Sequence, residues 1–362
     1  MNALNTQLQN DNTINKAVKN STNNEAKTLY LPNELKAKFP LDANLAVQIH
    51  EQRQAIENIL NGHDPRLMII TGPCSIHDPK AVLEYAEKLV KLQSLVSDQI
   101  LFVMRAYIEK PRTTVGWKGF LYDPNLDGSS EMQLGLERSR ELYLQMIELG
   151  LPIASEILSP LATPYFDDLL AWGAIGARTS ESQIHREISS QMPYSIGFKN
   201  GTDGSIQIAL DAIQSASHPH QFLGMSQSGL PSILESEGNP HAHLILRGSN
   251  TGTNYQLDEI KKIREINKGQ LPALVIDCSH GNSSKNPLNQ PNVLRQIIAE
   301  KSESQVCGVM LESFLVDGNQ KISHDMIYGQ SVTDGCLGWE KTELLYLEVA
   351  DMLREKSIKH SA

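Results

Sequence analysis

Cysteine is scarce in this chain, with four in 362 residues: Cys74, Cys278, Cys307 and Cys336. So few and so scattered, they exclude a disulfide-built scaffold and fit a reducing compartment. No apolar run approaches the ~18 residues that a membrane-spanning helix needs. Basic residues are in deficit, 32 Lys+Arg against 42 Asp+Glu, for a net charge of −10. Without a dense Lys/Arg stripe, nucleic acid is a poor candidate partner. The opening Met1-Asn2-Ala3-Leu4-Asn5 lacks the positive-then-apolar order of a secretory signal, so a cytoplasmic protein is expected. Compact metal-ligand spacings such as CxxC or HExxH are missing too.

What remains, 40% hydrophobic and 20% charged residues, is the composition of an ordinary globular protein. Residues 1–28 are rich in Asn, Thr, Lys and Gln and read as a mobile arm. Residues 29–62 form an N-terminal extension in which Val47, Ala55, Ile56, Ile59 and Leu60 recur at helical spacing until Asn61-Gly62. Eight short apolar runs follow, starting near Leu67, Ile100, Pro152, Ala174, Tyr194, His243, Ala273 and Val306. Each is near-continuously apolar and bounded by Gly, Pro or Asn, as strands buried on both faces should be. Amphipathic stretches separate them. One starts at Asp78-Pro79, an N-cap with proline at the first helical position, and another ends at Gly150. Eight strands alternating with helices predict an α/β fold, a (β/α)8 TIM barrel over residues 63–350, with a C-terminal tail at 351–362. The segment near 218–242 breaks the alternation and reads as a β-hairpin inserted on the barrel rim.

Barrel active sites lie where the strands end, so the residues just past each apolar run are the informative ones. In order they are Cys74, Arg105, Glu156, Arg178, Lys199, Arg247, His280 beyond Asp277, and Glu312. Five cations, Arg105, Lys110, Arg178, Lys199 and Arg247, have nothing in sequence to neutralise them. Crowded in one cleft they imply an anionic ligand, and the planar forks of arginine suit carboxylate and phosphate. Cys74, His280, Glu312 and, further on, Asp334 offer sulfur, nitrogen and oxygen donors to a divalent transition metal such as Mn, Fe, Co or Zn.

Longer strings carry more. Gly72-Pro73-Cys74-Ser75-Ile76-His77-Asp78, Lys110-Pro111-Arg112-Thr113-Thr114-Val115-Gly116-Trp117-Lys118-Gly119 and Gly176-Ala177-Arg178-Thr179-Ser180-Glu181 are three of them. Others are Gly197-Phe198-Lys199-Asn200-Gly201-Thr202, Leu246-Arg247-Gly248, Asp277-Cys278-Ser279-His280-Gly281-Asn282-Ser283 and Ser331-Val332-Thr333-Asp334. In this order the chain resembles the type I 3-deoxy-D-arabino-heptulosonate-7-phosphate (DAHP) synthases over roughly residues 30 to 350. The resemblance implies condensation of phosphoenolpyruvate with erythrose 4-phosphate, at the head of the shikimate route to the aromatic amino acids. It implies Cys74, His280, Glu312 and Asp334 as ligands of one divalent metal. It implies Arg105, Lys110, Lys118, Arg178, Lys199 and Arg247, with the Ala177 backbone, as the phosphoenolpyruvate site. Lys110, Arg112 and Thr113 resemble the segment that receives erythrose 4-phosphate, and Glu156 a carboxylate beside the reacting carbons. Glu156, Lys199 and His280 are all candidates for moving the proton of the attacking water.

The extension and the hairpin resemble the feedback machinery of this family, which points to an aromatic amino-acid effector near Phe222 and Gly224. Gly224, where phenylalanine-responsive branches tend to carry serine, favours tyrosine. A homodimer or homotetramer is expected. The related eight-carbon synthases carry a different segment at Lys110–Thr114, and a Schiff-base aldolase built on Lys199 would leave four metal ligands without a purpose.

Overall fold

The computed structural model describes residues 27–267 and 272–361. The arm expected at 1–28 lies almost wholly outside them, and residues 27–30 have no regular structure. The extension carries two helices, α1 (Pro32–Lys38) and α2 (Ala43–Leu60). Eight parallel strands then close into a barrel: β1 (Leu67–Gly72), β2 (Ile100–Arg105), β3 (Ile153–Glu156), β4 (Trp172–Ile175), β5 (Ser195–Lys199), β8 (His243–Leu246), β9 (Leu274–Asp277) and β10 (Gly308–Glu312). They lie in chain order around the ring, and β1 pairs with both β2 and β10 to seal it. The fold expected from alternating patterns is therefore the observed one.

Nearly every strand residue is buried, because helices cover the outside and side chains fill the inside. These helices are α3 (Pro79–Val96), α4 (Met132–Glu148), α5 (Gln183–Gln191), α6 (Gln207–Ala216), α7 (Leu257–Ile266), α8 (Gln290–Ser304) and α9 (Trp339–Ser361). Asp78 caps α3 by accepting from the N–H groups of Lys80 and Ala81, and Gly150 leaves α4 with φ +92°. Trp172 is the largest side chain of the barrel interior, and it needs space from a neighbour. A Cβ on Gly197 would come within 2.8 Å of its ring and 2.4 Å of Ile245, so only glycine fits there. The Trp172 indole N–H donates to His243 Nε2 at 3.1 Å, which satisfies the one polar atom it buries. Beneath this layer α2 closes the N-terminal mouth, with Ile56, Ile59 and Leu60 joining the core of Met68, Ala171 and Trp172.

The inserted hairpin is present as β6 (His220–Met225) and β7 (Pro231–Ser236), paired antiparallel with Phe222 opposite Leu234. Its tip rests on the extension: Asn33 N–H donates to the Gln227 carbonyl at 3.0 Å, and Lys36 to the Gln227 side chain at 2.9 Å. Two short parallel strands, β11 (Val316–Asn319) and β12 (Gln330–Ser331), follow the barrel and carry the chain back over its C-terminal mouth. α9 runs unbroken through residue 350, where a tail was expected to begin, and Leu353 still packs inward. The fourth strand also lies two residues earlier than its apolar run, with Ala177 already in the turn that follows. Among the described residues no helix is long and apolar enough to cross a membrane.

Candidate active site

A cleft of about 760 Å³ opens at the C-terminal ends of the barrel strands. Parallel strands end side by side in a closed ring, so residues far apart in sequence converge there. Cys74, Arg105, Lys110, Arg112, Thr113, Glu156, Ala177, Arg178, Lys199, Arg247, His280, Glu312 and Asp334 all line it.

Lys118 is the one that does not line it. The 110–119 segment doubles back on itself, with Lys110 N–H bonded to the Lys118 carbonyl at 2.8 Å. Lys118 contributes that carbonyl, while its ammonium lies 6.0 Å from the centre of the Tyr122 ring and does not line the cleft. Phe222 and Gly224 also lie away from it. Phe222 is buried under the hairpin, and a Cβ on Gly224 would meet Leu234 Cδ1 at 2.4 Å.

Two electrostatic layers are visible. In the first, the donor atoms of Cys74, Glu312 and Asp334 lie within 4.8 Å of one another. The Lys110 ammonium sits against them, 3.0 Å from Cys74 Sγ and 2.7 Å from Asp334 Oδ2. Burial pushes the Cys74 thiol up to about 11, and the neighbouring Glu312 carboxylate adds to that. Burial also opposes the charge on Asp334, but Lys110 outweighs it and holds the carboxyl low. A buried thiol and two carboxylates around one cation form a site whose donors fit a divalent transition metal. His280 lines the same cleft without belonging to this group of three. Its Nδ1 lies 3.0 Å from Asp277 Oδ2, the carboxylate–imidazole arrangement that orients a ligating histidine and leaves Nε2 for the ligand role.

The second layer is the anion site. Arg247 is 9% exposed, and its Nη1 is buried without a hydrogen-bond partner. Burial lowers its pKa, and the nearby positive charge of Arg178 adds to the effect despite Asp277. A guanidinium with an unused donor beside a second cation suits an anion that joins them. Arg105 has Nε and Nη2 engaged instead. It donates to the carbonyls of Pro73 and Cys74 and to Glu312 Oε1 at 3.2 Å, with its guanidinium carbon 3.6 Å above the Tyr107 ring.

Several residues that matter here receive no role from the sequence. Asp277 closes β9 and pairs with Lys199 at 2.8 Å as well as with His280. Gln290, the first residue of α8, brackets the Glu312 backbone by accepting its N–H at 2.8 Å and donating to its carbonyl at 2.9 Å. Asn200 accepts the Arg247 N–H at 2.8 Å and donates to the Gly248 carbonyl at 3.1 Å. These amides fix the strand ends that present Glu312 and Arg247. A buried amide between two strand ends was the only available hint, and periodicity does not reveal it.

The profile of the DAHP synthetase I family matches residues 42–346. The chain belongs to that family. It is an enzyme of the phospho-2-dehydro-3-deoxyheptonate aldolase, or 3-deoxy-7-phosphoheptulonate synthase, class. The Tyr-sensitive phospho-2-dehydro-3-deoxyheptonate aldolase of Escherichia coli (strain K12) is 44% identical over 331 residues, covering 90% of this chain and 93% of the relative. The Phe-sensitive enzyme of the same strain is 45% identical over 338 residues, covering 92% and 96%. A solved structure of the phospho-2-dehydro-3-deoxyheptonate aldolase from Francisella tularensis SCHU S4 superposes with a TM-score of 0.89 at 42% identity, covering 91% of this chain and 98% of that one. The two effector types differ by a single per cent in identity, so overall similarity does not separate them.

Proposed function

We propose that the cleft joins phosphoenolpyruvate to erythrose 4-phosphate, giving DAHP and phosphate, with one divalent metal ion held by Cys74, His280, Glu312 and Asp334. The observation that carries this reading is the buried, half-unpartnered Arg247 guanidinium beside Arg178, Lys199 and Arg105. Phosphoenolpyruvate carries a carboxylate and a phosphate on one carbon, and such a cluster of cations suits a compact ligand with two anionic groups of that kind. Arg178 and Arg247 neutralise and orient the anion, while Lys110 and Arg112 face the second substrate. A divalent ion bound there supplies Lewis-acid polarisation of the aldehyde oxygen.

The residues then act in order. The cations hold C3 of the enol against the aldehyde carbon, and a C–C bond forms between them. Water adds at C2 with one of its protons passing to a side chain. The C2–O bond to phosphate then breaks as the C2 hydroxyl becomes a carbonyl, that hydroxyl's proton going to the former aldehyde oxygen and the side-chain proton returning to phosphate. Glu156, at the end of β3, has its carboxylate within the cleft and is our choice for that proton, ahead of Lys199 and His280. Lys199 is held by Asp277, and His280 by Asp277 and Ser279, which commits both to fixed partners.

Turnover of metal-stripped protein with both substrates, followed by loss of enolpyruvate absorbance, tests the reading. Consumption is expected only after Mn²⁺ is restored, and tyrosine, more than phenylalanine or tryptophan, is expected to suppress it. Consumption in the absence of metal, or with arabinose 5-phosphate in place of erythrose 4-phosphate, would overturn it. Arg247→Gln is expected to raise KM for phosphoenolpyruvate about 10- to 100-fold, the loss of one charge-assisted contact, with a smaller change in kcat. Steady-state kinetics with each substrate varied in turn check this, and an unchanged KM would remove Arg247 from the anion site. The feedback assignment rests on the short hairpin segment around Gly224, a homodimer or homotetramer is a separate part of the proposal, and Gly224→Ser is expected to weaken tyrosine inhibition while leaving uninhibited turnover intact.

A further inference from the structure

Behind Glu156 lies a second carboxyl that the reaction above does not use. Glu109, just before the Lys110 segment, is 5% exposed. It accepts from the Tyr122 hydroxyl at 3.0 Å and from the Ser159 N–H at 3.2 Å. No lysine or arginine is paired with it among the described residues. Glu109 and Glu156 line one small pocket of about 20 Å³, together with Ser155, Tyr143 and Tyr194. That volume takes one water, and the two carboxyls with the Ser155 hydroxyl are enough polar partners to hold it, the Tyr143 hydroxyl already donating to the Ala106 carbonyl at 2.6 Å. Glu156 lines the main cleft as well, so it stands between substrate and pocket.

We propose that Glu109 is a positioning residue that acts through Glu156, exchanging a proton with it through a water in the pocket they share. The inference rests on the reading of Glu156 given above. The proton released when water adds at C2 goes to Glu156. Glu156 passes it to the pocket water, which gives one of its own to Glu109, and the reverse transfer later returns it to the departing phosphate. Only O–H bonds change in the relay, and its net proton count is zero.

The surroundings support a carboxyl that exchanges protons near neutrality. Burial raises Glu109 to about 7, opposed by the Ser159 and Tyr122 hydrogen bonds and reinforced by the charge on Glu156. The other titratable groups facing it are Tyr122, from the turn after the 110–119 segment, Tyr143 of α4, and Tyr194 before β5. Burial raises the pKa of all three, so each is a neutral hydroxyl at such pH.

The test is Glu109→Gln in the full-length, metal-loaded enzyme, with kcat and both KM values measured across pH. We expect an ionisation near neutrality in the wild-type kcat profile that the variant lacks. We also expect kcat to fall about 10- to 100-fold, with both KM values within about twofold. An unchanged profile overturns the proposal. So does a loss confined to KM for erythrose 4-phosphate, because that outcome means Glu109 only anchors the 110–119 segment. Infrared difference spectra between about pH 6 and pH 8 give a readout without turnover. A protonated carboxyl band should vanish on raising the pH in the wild type and in Glu156→Gln, and its absence from both overturns the proposal even if Glu109→Gln fails to fold. Lack of wild-type turnover would instead count against the proposed reaction, leaving the infrared result to stand separately.

Discussion

Asp277→Asn is expected to cost about 3–5 kcal/mol of stability, the range for breaking a buried ion pair by removing one partner. Asp277 is fully buried, and Lys199, its partner at 2.8 Å, is 6% exposed. Burial alone would raise the Asp277 pKa, but the Lys199 and His280 charges hold it well below the usual carboxylate range. The variant keeps the shape and removes the charge, so the Lys199 ammonium is left inside with no counter-ion, and His280 loses the group that orients its ring. Turnover should fall by at least about 100-fold, because an orienting partner of a ligating histidine and an anion-site lysine are lost together. Urea denaturation with a parallel activity assay checks both effects. Adding Lys199→Met to Asp277→Asn should recover most of the stability and none of the turnover. A single variant within about 1 kcal/mol of the wild type would mean that the pair is solvated and that the argument from burial is wrong.

The second large effect is expected at Cys74. Cys74→Ala removes the only sulfur donor of the Cys74–Glu312–Asp334 group, leaving two carboxylates already paired with Arg105 and Lys110. Divalent-metal affinity should drop by at least about 100-fold, beyond the range typical of losing an outer-shell partner, and turnover should follow it. Calorimetric titration of metal-stripped protein with Mn²⁺ measures the affinity directly, without reference to turnover. Cys307→Ser, at a half-buried cysteine near the opposite end of the barrel, should leave that titration unchanged. Equal metal binding by the wild type and Cys74→Ala would remove the thiol from the metal site.

Much of the architecture was legible because strands buried on both faces leave a strong mark. Leu67–Ile70 and His243–Leu246 are unbroken apolar runs, and Asp78-Pro79 and Gly150 punctuate their helices as local backbone chemistry requires. Once the barrel was inferred, its symmetry did further work. Strand ends in a parallel ring must converge, so Arg105, Arg178, Lys199 and Arg247 could be placed in one cleft from their order alone. The hairpin was legible as a failure of the alternating pattern. The end of α9 was not, since a helix continuing past the barrel has no punctuation to mark residue 350.

The side-chain directions are a different matter. Lys118 belongs to the same string as Lys110, yet the fold-back that bonds the Lys110 N–H to the Lys118 carbonyl turns its ammonium away. Asp277 looked like one more strand end, and only the closed ring brings Lys199 from β5 and His280 from the following loop onto its two oxygens. Glu109 shares a segment with the cations, and only the fold surrounds it with Tyr122, Ser159 and Glu156. Sequence alone determined the strands, the barrel, the family and most of the residues at its mouth, because these follow from periodicity, local backbone chemistry and long specific strings. Tertiary structure alone decided which charges meet, since burial and pairing depend on distances between segments that lie from dozens to more than two hundred residues apart in the chain.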